Sequence, residues 1–121
     1  MPQITVETSP ALDHVDWGAF ALALHPVVVE IAAARLEACR TRTLRTEYEV
    51  VGDVTATGTG GPAIVHVGIA LLAGRSEETR ARLSEATLEL LREHIEPADG
   101  GTLHVSVEVR DLDPSYRGFE A

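Results

Sequence analysis

The chain has 121 residues, the size of one domain, and its 45% of apolar residues can supply a single core. Its formal net charge of −9 argues against nucleic-acid binding, no apolar run is long enough to span a bilayer, and the absence of lysine excludes a lysine Schiff base. With Cys39 as the single cysteine and no signal-peptide pattern at the amino terminus, we expect one domain over residues 1–121, located in the cytoplasm.

The first half of the chain predicts a strand, a helix and a second strand. Residues 3–8 alternate polar and apolar side chains, which is the two-residue period of a strand. An apolar stripe predicts a helix over about residues 13–31, and Pro26 inside it predicts a kink, because proline cannot donate a backbone hydrogen bond. Threonine, tyrosine and valine favour a strand over residues 39–51, and the glycine-rich residues 52–62 are typical of a loop.

The second half of the chain repeats this plan. Residues 63–72 are almost continuously apolar, as in a central strand that is covered on both faces. Ser76 is a good N-cap for a helix that extends to about Ile95, and the alternation after Leu103 predicts a last strand. Since strand–helix–strand units normally contain parallel strands, we predict an α+β fold of order β-α-β-β-α-β, a four-stranded sheet with two helices on one face.

The opposite face of the predicted sheet needs a cover of its own. Its side chains are polar without being heavily charged, and they include Thr5, Glu7, His104, Ser106 and Glu108. This mixture suits contact with another subunit better than contact with water, so it predicts a symmetric oligomer.

Pattern alone favours structural roles for most of the reactive side chains. None of the five histidines shares a metal-ligand spacing with a second ligand, and His66 is interpreted as a hydrogen-bonded core residue. Cys39 is interpreted as a buried, inert thiol. Arg40, near the start of the second strand, and Arg75, at the entry to the second helix, could each hold a carboxylate, although the pattern by itself favours ordinary surface arginines.

Pro2 carries a further chemical possibility. Met1 is expected to be removed before so small a residue, which would expose a secondary amine at the start of the first strand. On pattern alone, Pro2 is simply the beginning of a chain.

The order and spacing of several short motifs identify a resemblance. The motifs are Pro2 at the start of the first strand, Pro26 within the first helix, Cys39-Arg40-Thr41-Arg42, Val65-His66-Val67, Ala73-Gly74-Arg75-Ser76 and Leu112-Asp113-Pro114. Together they cover nearly the whole chain. In these features the chain resembles the 5-carboxymethyl-2-hydroxymuconate Δ-isomerase family, a branch of the tautomerase superfamily.

The resemblance implies a tautomerase-like fold, a homotrimer and an enzyme without metal or cofactor. It implies that Pro2, once Met1 is removed, is the catalytic base, and that Arg40 and Arg75 bind the carboxylates of a small-molecule substrate. The reaction would move a proton within an unsaturated 2-hydroxy or 2-oxo polycarboxylic acid, in the bacterial breakdown of homoprotocatechuate, an aromatic compound. An arginine-rich site would also allow an acidic protein to attract a polycarboxylate.

Three alternative functions stay open at this point. The first is a tautomerase of the same mechanism that acts on a different unsaturated acid. The second is a non-enzymatic trimeric module that binds a small molecule on the same scaffold, and the third is a ferredoxin-like regulatory domain that binds an effector. Turnover of dienols, and its sensitivity to Pro2→Ala and Arg75→Ala, separates the enzymes from the two binding proteins.

Overall fold

The computed structural model describes residues 1–56, 61–96 and 101–121. Its first unit consists of strand β1 (Gln3–Thr8), helix α1 (Trp17–Ala32) and strand β2 (Arg40–Arg45). The alternation in β1 is confirmed, because every second side chain from Ile4 onward is buried.

Helix α1 begins four residues later than the predicted start at residue 13. A short 3-10 turn over Pro10–Leu12 comes first, and the carboxylate of Asp16 then caps the helix by accepting a 2.9 Å hydrogen bond from the Ala19 N–H. Before this cap, Leu12 in the turn and Val15 after it are buried in the core, so their burial does not require a helix. Pro26 lies exposed inside α1, and its kink stays a prediction.

The prediction of one strand over residues 39–51 is wrong, because that segment divides into two. After β2 the chain leaves the main sheet and forms a separate antiparallel hairpin of β3 (Glu49–Val51) and β4 (Val54–Ala56). Gly52 takes a φ of 62° in the connecting turn, a conformation that glycine adopts at no steric cost. Strand β4 also lies within the predicted loop 52–62, of which residues 57–60 lie outside the described ranges.

The second unit consists of β5 (Ala63–Leu71), α2 (Glu77–His94) and β6 (Leu103–Asp111). Its predicted elements are confirmed to within a residue or two. The Ser76 hydroxyl caps α2 by accepting a 3.1 Å hydrogen bond from the Thr79 N–H.

The four-stranded sheet has the order β2-β1-β5-β6, and the predicted parallel pairing within each unit is confirmed. The two units meet at the centre, where β1 and β5 pair antiparallel with Gln3 opposite Ala70. The start of β1 and the end of β5 therefore lie at the same end of the sheet, beside the start of β2, where Gln3 is opposite Arg40.

The core lies between one face of this sheet and the two helices, as predicted. Its fully buried side chains come from β1, β5 and both helices: Ile4, Val6, Phe20, Leu24, Val28, Val65, Val67, Ile69, Leu83 and Leu91. On the other face, Ile64, His66 and Gly68 are only half-buried, so the prediction that β5 is covered on both faces is wrong for a single chain. None of the helices in the described ranges is long and apolar enough to cross a membrane.

Candidate active site at the start of β1

The candidate site begins at Pro2, which is buried at the entry to β1. Parallel pairing continues one step beyond the strand itself, since the Arg40 N–H donates a 3.2 Å hydrogen bond to the Pro2 carbonyl. The register of β1 and β2 therefore places the Cys39-Arg40 pair directly beside the chain start.

The guanidinium of Arg40 is directed toward the amino terminus. Its Nη1 donates to the Ala38 carbonyl at 3.2 Å and lies 3.6 Å from the Met1 sulfur. Its Nη2 donates to the Glu120 carboxylate at 2.9 Å. The side chain is 37% exposed, so solvent and ligands can reach this guanidinium.

Arg75 lies in the turn between β5 and α2 and is held by two backbone carbonyls. Its Nε donates to Ala32 at the end of α1 at 2.9 Å, and its Nη1 donates to Leu72 at 3.0 Å. A guanidinium carries five N–H groups in one plane. These two hydrogen bonds fix the orientation of the Arg75 guanidinium. Among the described residues its Nη2 has no hydrogen-bond partner, so the N–H groups of Nη2 remain available to a ligand.

Both arginines act on the amine at the chain start. Burial, followed by the positive charges of Arg75 and Arg40, lowers the pKa of the Met1 amine, while Cys39 opposes the shift. Each lowering effect has the same basis, because burial and nearby cations both disfavour an ammonium ion. The end of the sheet that holds Pro2 is therefore an environment that favours an uncharged amine.

A cavity of about 530 Å³ opens beside the chain start, and Arg40 is the predicted binding residue that lines it, whereas Pro2 itself is not among its lining residues. Its other lining residues are Met1, Gln3, Tyr116, Gly118, Phe119 and Glu120. Arg75 lines a different cavity, of about 510 Å³, between the end of α1 and the start of α2. A single chain therefore brings both arginine charges to the amine without placing the two side chains in one pocket.

Sequence reasoning missed Gln3, Tyr116 and Glu120. The Gln3 amide donates a 2.9 Å hydrogen bond to the Tyr116 hydroxyl and accepts one of 3.2 Å from Arg42. Gln3 could have been found as the outward-facing neighbour of Pro2 in an alternating strand. No local signal indicates Tyr116 or Glu120, because they reach the site only through the fold.

The other sequence candidates lie outside this cavity. The Cys39 thiol is buried, as predicted; burial raises its pKa, and its Sγ donates to the Arg35 carbonyl at 3.5 Å. His66 is hydrogen-bonded, 2.7 Å from the Ser106 hydroxyl, but it lies on the uncovered sheet face instead of in the core. Within the described ranges, no group of three His, Cys, Asp or Glu side chains could hold a metal ion.

Comparison with known proteins gives a consistent result over nearly the whole chain. A family model described as 5-carboxymethyl-2-hydroxymuconate isomerase matches residues 2–118. Among solved structures, a 5-carboxymethyl-2-hydroxymuconate isomerase from Deinococcus radiodurans R1 is 23% identical, with a TM-score of 0.81 over 98% of this chain and 88% of that one.

Two further solved structures support the same fold. A 5-carboxymethyl-2-hydroxymuconate delta-isomerase is 17% identical, with a TM-score of 0.74 over 100% of this chain and 89% of its own. A protein described as a fused 4-OT wild-type symmetric trimer is 22% identical, with a TM-score of 0.72 over 97% of this chain and 90% of its own. At these identities the likeness shows a shared fold.

One curated protein matches a shorter segment. The ribosomal RNA small subunit methyltransferase H of Mesorhizobium japonicum is 40% identical over 70 residues, which cover 54% of this chain and 21% of that protein. The chain thus spans about a fifth of that relative, and its named activity is not carried over.

Proposed function

Because this chain belongs to the 5-carboxymethyl-2-hydroxymuconate isomerase family, we propose that it is a cofactor-independent isomerase acting on an unsaturated 2-hydroxy or 2-oxo polycarboxylic acid. Family membership supports an isomerase or tautomerase type of function. The compound in the family description, 5-carboxymethyl-2-hydroxymuconate, is the first candidate substrate, and a catabolic role in the cytoplasm is part of the proposal.

The proposed base is the Pro2 amine after removal of Met1. An amine can act as a general base only in its uncharged form, and the burial and arginine charges that lower the pKa of the Met1 amine would act on an amine one residue later. The buried position of Pro2, whose carbonyl accepts a hydrogen bond from the Arg40 N–H, is the observation that carries the proposal. Loss of Met1 would also remove the sulfur atom that lies against Arg40 Nη1.

The proposed reaction is a proton transfer in two steps. The Pro2 nitrogen takes a proton from the hydroxyl of a 2-hydroxy (enol) acid, or from a carbon conjugated with the carbonyl of a 2-oxo acid, leaving a dienolate, and then delivers that proton to a different carbon. No atom or electron pair is gained or lost overall. Arg40 and Arg75 would bind substrate carboxylates and stabilise the negative charge of the dienolate, because that charge grows in a partly desolvated site.

We further propose that the protein works as a homotrimer. The uncovered sheet face forms a shallow polar cavity that includes Gln3, Glu7, Arg42, His66 and Glu108. A second subunit against this face would exclude water from a surface that one chain leaves open. The description of a structural relative as a symmetric trimer supports this assembly, which could also bring an arginine of one subunit to the Pro2 of another.

The first test establishes whether the base exists and whether it is needed. Mass spectrometry of the purified protein gives the amino-terminal residue, and absorbance assays on a panel of muconate-type dienols give turnover. Pro2→Ala should lower kcat/KM by about 10²–10⁴-fold, which is the usual contribution of a positioned base. Pro26→Ala, at an exposed proline in α1, is the matched control and should retain activity.

Two results would contradict the proposal. One is a mature protein that keeps Met1 and still turns over a dienol, because Pro2 would then be an amide nitrogen without basicity. The other is binding of the acids without turnover of any member of the panel, which would favour the non-enzymatic binding module.

A further inference from the structure

The segment after β6 returns over the candidate site in a defined path. The Leu112 N–H donates to the Leu71 carbonyl at 2.6 Å, so the chain leaves the sheet beside the end of β5. A turn follows, in which Asp113 accepts hydrogen bonds from the backbone N–H groups of Ser115, at 2.8 Å, and Tyr116, at 2.9 Å. These bonds reverse the chain toward the amino terminus.

A second contact holds the returning segment in place. The Tyr116 hydroxyl accepts the hydrogen bond from Gln3, and Gly118, Phe119 and Glu120 then form one wall of the 530 Å³ cavity. Arg40 lies on another wall of the same cavity. The segment is therefore part of the candidate site and not a free end near it.

Glu120 makes the contact that a substrate carboxylate would make. Its Oε1 lies 2.9 Å from Arg40 Nη2, in a charge-assisted hydrogen bond of the kind by which arginine recognises carboxylates. We propose that Glu120 is an internal competitor, which occupies the Arg40 guanidinium until a carboxylate of the ligand displaces it. This inference rests on the carboxylate-binding role proposed for Arg40.

The pair has the properties of a contact that can be exchanged. The Glu120 side chain is 83% exposed and that of Arg40 is 37% exposed, and ion pairs this accessible to water are weak. The hydrogen bond from Arg40 to Ala38 needs no change when Glu120 leaves, so the guanidinium stays oriented. The competitor therefore weakens ligand binding modestly, by about two- to fivefold.

The competition also bears on specificity. A ligand that lacks a carboxylate gains little by displacing Glu120, because it offers Arg40 a weaker acceptor than the one it removes. A ligand with a carboxylate at this position replaces one charged partner by another. Glu120 would therefore lower the affinity for acids and leave that for neutral analogues unchanged, so that its removal should widen the difference between the two kinds of ligand.

Calorimetric titration with the inert dicarboxylate glutarate, on the mature protein and on Glu120→Gln, tests the inference. The variant should bind glutarate about two- to fivefold more tightly, whereas the neutral diamide glutaramide should gain nothing. Asp13→Asn is the matched control, because it removes one negative charge from a comparably exposed ion pair, to Arg45, outside the cavity. Its affinity for glutarate should equal that of the unchanged protein.

Three results would overturn the inference. The first is an affinity of Glu120→Gln for glutarate that is unchanged or weaker. The second is an equal gain of glutarate affinity in Asp13→Asn, which would mean that the net charge alone is responsible. The third is that neither the mature protein nor either variant binds glutarate. Steady-state kinetics separate this inference from the proposed isomerase. If Glu120→Gln binds glutarate more tightly but the protein turns over no dienol, the Glu120 proposal stands and the isomerase proposal is wrong. If the protein turns over a dienol but Glu120→Gln changes neither KM nor the affinity for glutarate, the isomerase proposal stands and the Glu120 proposal is wrong.

Discussion

Arg75 is predicted to stabilise the fold as well as to act in the site, and Arg75→Ala tests the first role. Helix α1 has no basic residue in its last turn, and the hydrogen bond from Arg75 Nε to the Ala32 carbonyl brings a positive charge to its carboxyl end. Partly exposed hydrogen bonds from a charged donor contribute about 1 kcal/mol each, and a cation at a helix end adds about 0.3–1 kcal/mol. The substitution should therefore cost about 2–3 kcal/mol of unfolding free energy.

Thermal and urea denaturation measure this loss directly. For a domain of this length, each kcal/mol corresponds to about 3–5 °C, so the melting temperature of Arg75→Ala should fall by about 6–15 °C. Arg40→Ala is the control, since it removes one backbone hydrogen bond, to Ala38, and an exposed ion pair, and should cost less, about 1–2 kcal/mol. A melting temperature of Arg75→Ala within a degree or so of the unchanged protein would refute the structural role.

Three further predictions concern titration and reactivity. Arg40→Ala should raise the pKa of the mature Pro2 amine, because one cation that disfavours the ammonium form is removed. The rising limb of the plot of kcat/KM against pH should therefore move to higher pH, and a profile that does not move would contradict this. Burial lowers the pKa of His25 below its ordinary 6.5, so as the pH falls the unfolded chain binds this proton before the folded chain does. The free energy of unfolding should therefore decrease as the pH falls below about 6.5. His25→Asn should reduce this pH dependence, as measured by urea titrations at several pH values. Burial raises the pKa of the Cys39 thiol, so a disulfide reagent should react far more slowly with native than with urea-unfolded protein, and equal rates would show an accessible thiolate.

Periodicity predicted most of the fold because most elements bury one face against one core. The alternation in β1 and the apolar stripe of α2 gave the correct type and nearly the correct limits. The hairpin of β3 and β4 was missed, although Gly52-Asp53 between valines is a recognisable two-residue hairpin turn. The valines of this hairpin resemble those of a strand in the main sheet. Because each hairpin strand has only three residues, the alternation of buried and exposed side chains is too short to separate the two cases.

The candidate site was predictable only where residues near in sequence share it. Arg40 follows Cys39 into β2, but its position beside Pro2 depends on the register between parallel strands, which no spacing encodes. The resemblance to a family supplied that link. Glu120 was missed because its contact with Arg40 spans 80 residues of sequence.

The antiparallel pairing of β1 with β5 sets the distance between the chain start and the turn at Arg75. This distance therefore does not depend on the number of residues that separate the two strands in the sequence. Residues can be gained or lost in the β3–β4 hairpin without moving these two points, as long as Gln3 stays opposite Ala70. A one-residue slip between the same two strands would instead shift one end by about 3.3 Å and turn the strand's side chains to opposite faces. Variation in length is thus tolerated in one segment, while the central ladder must keep its alignment.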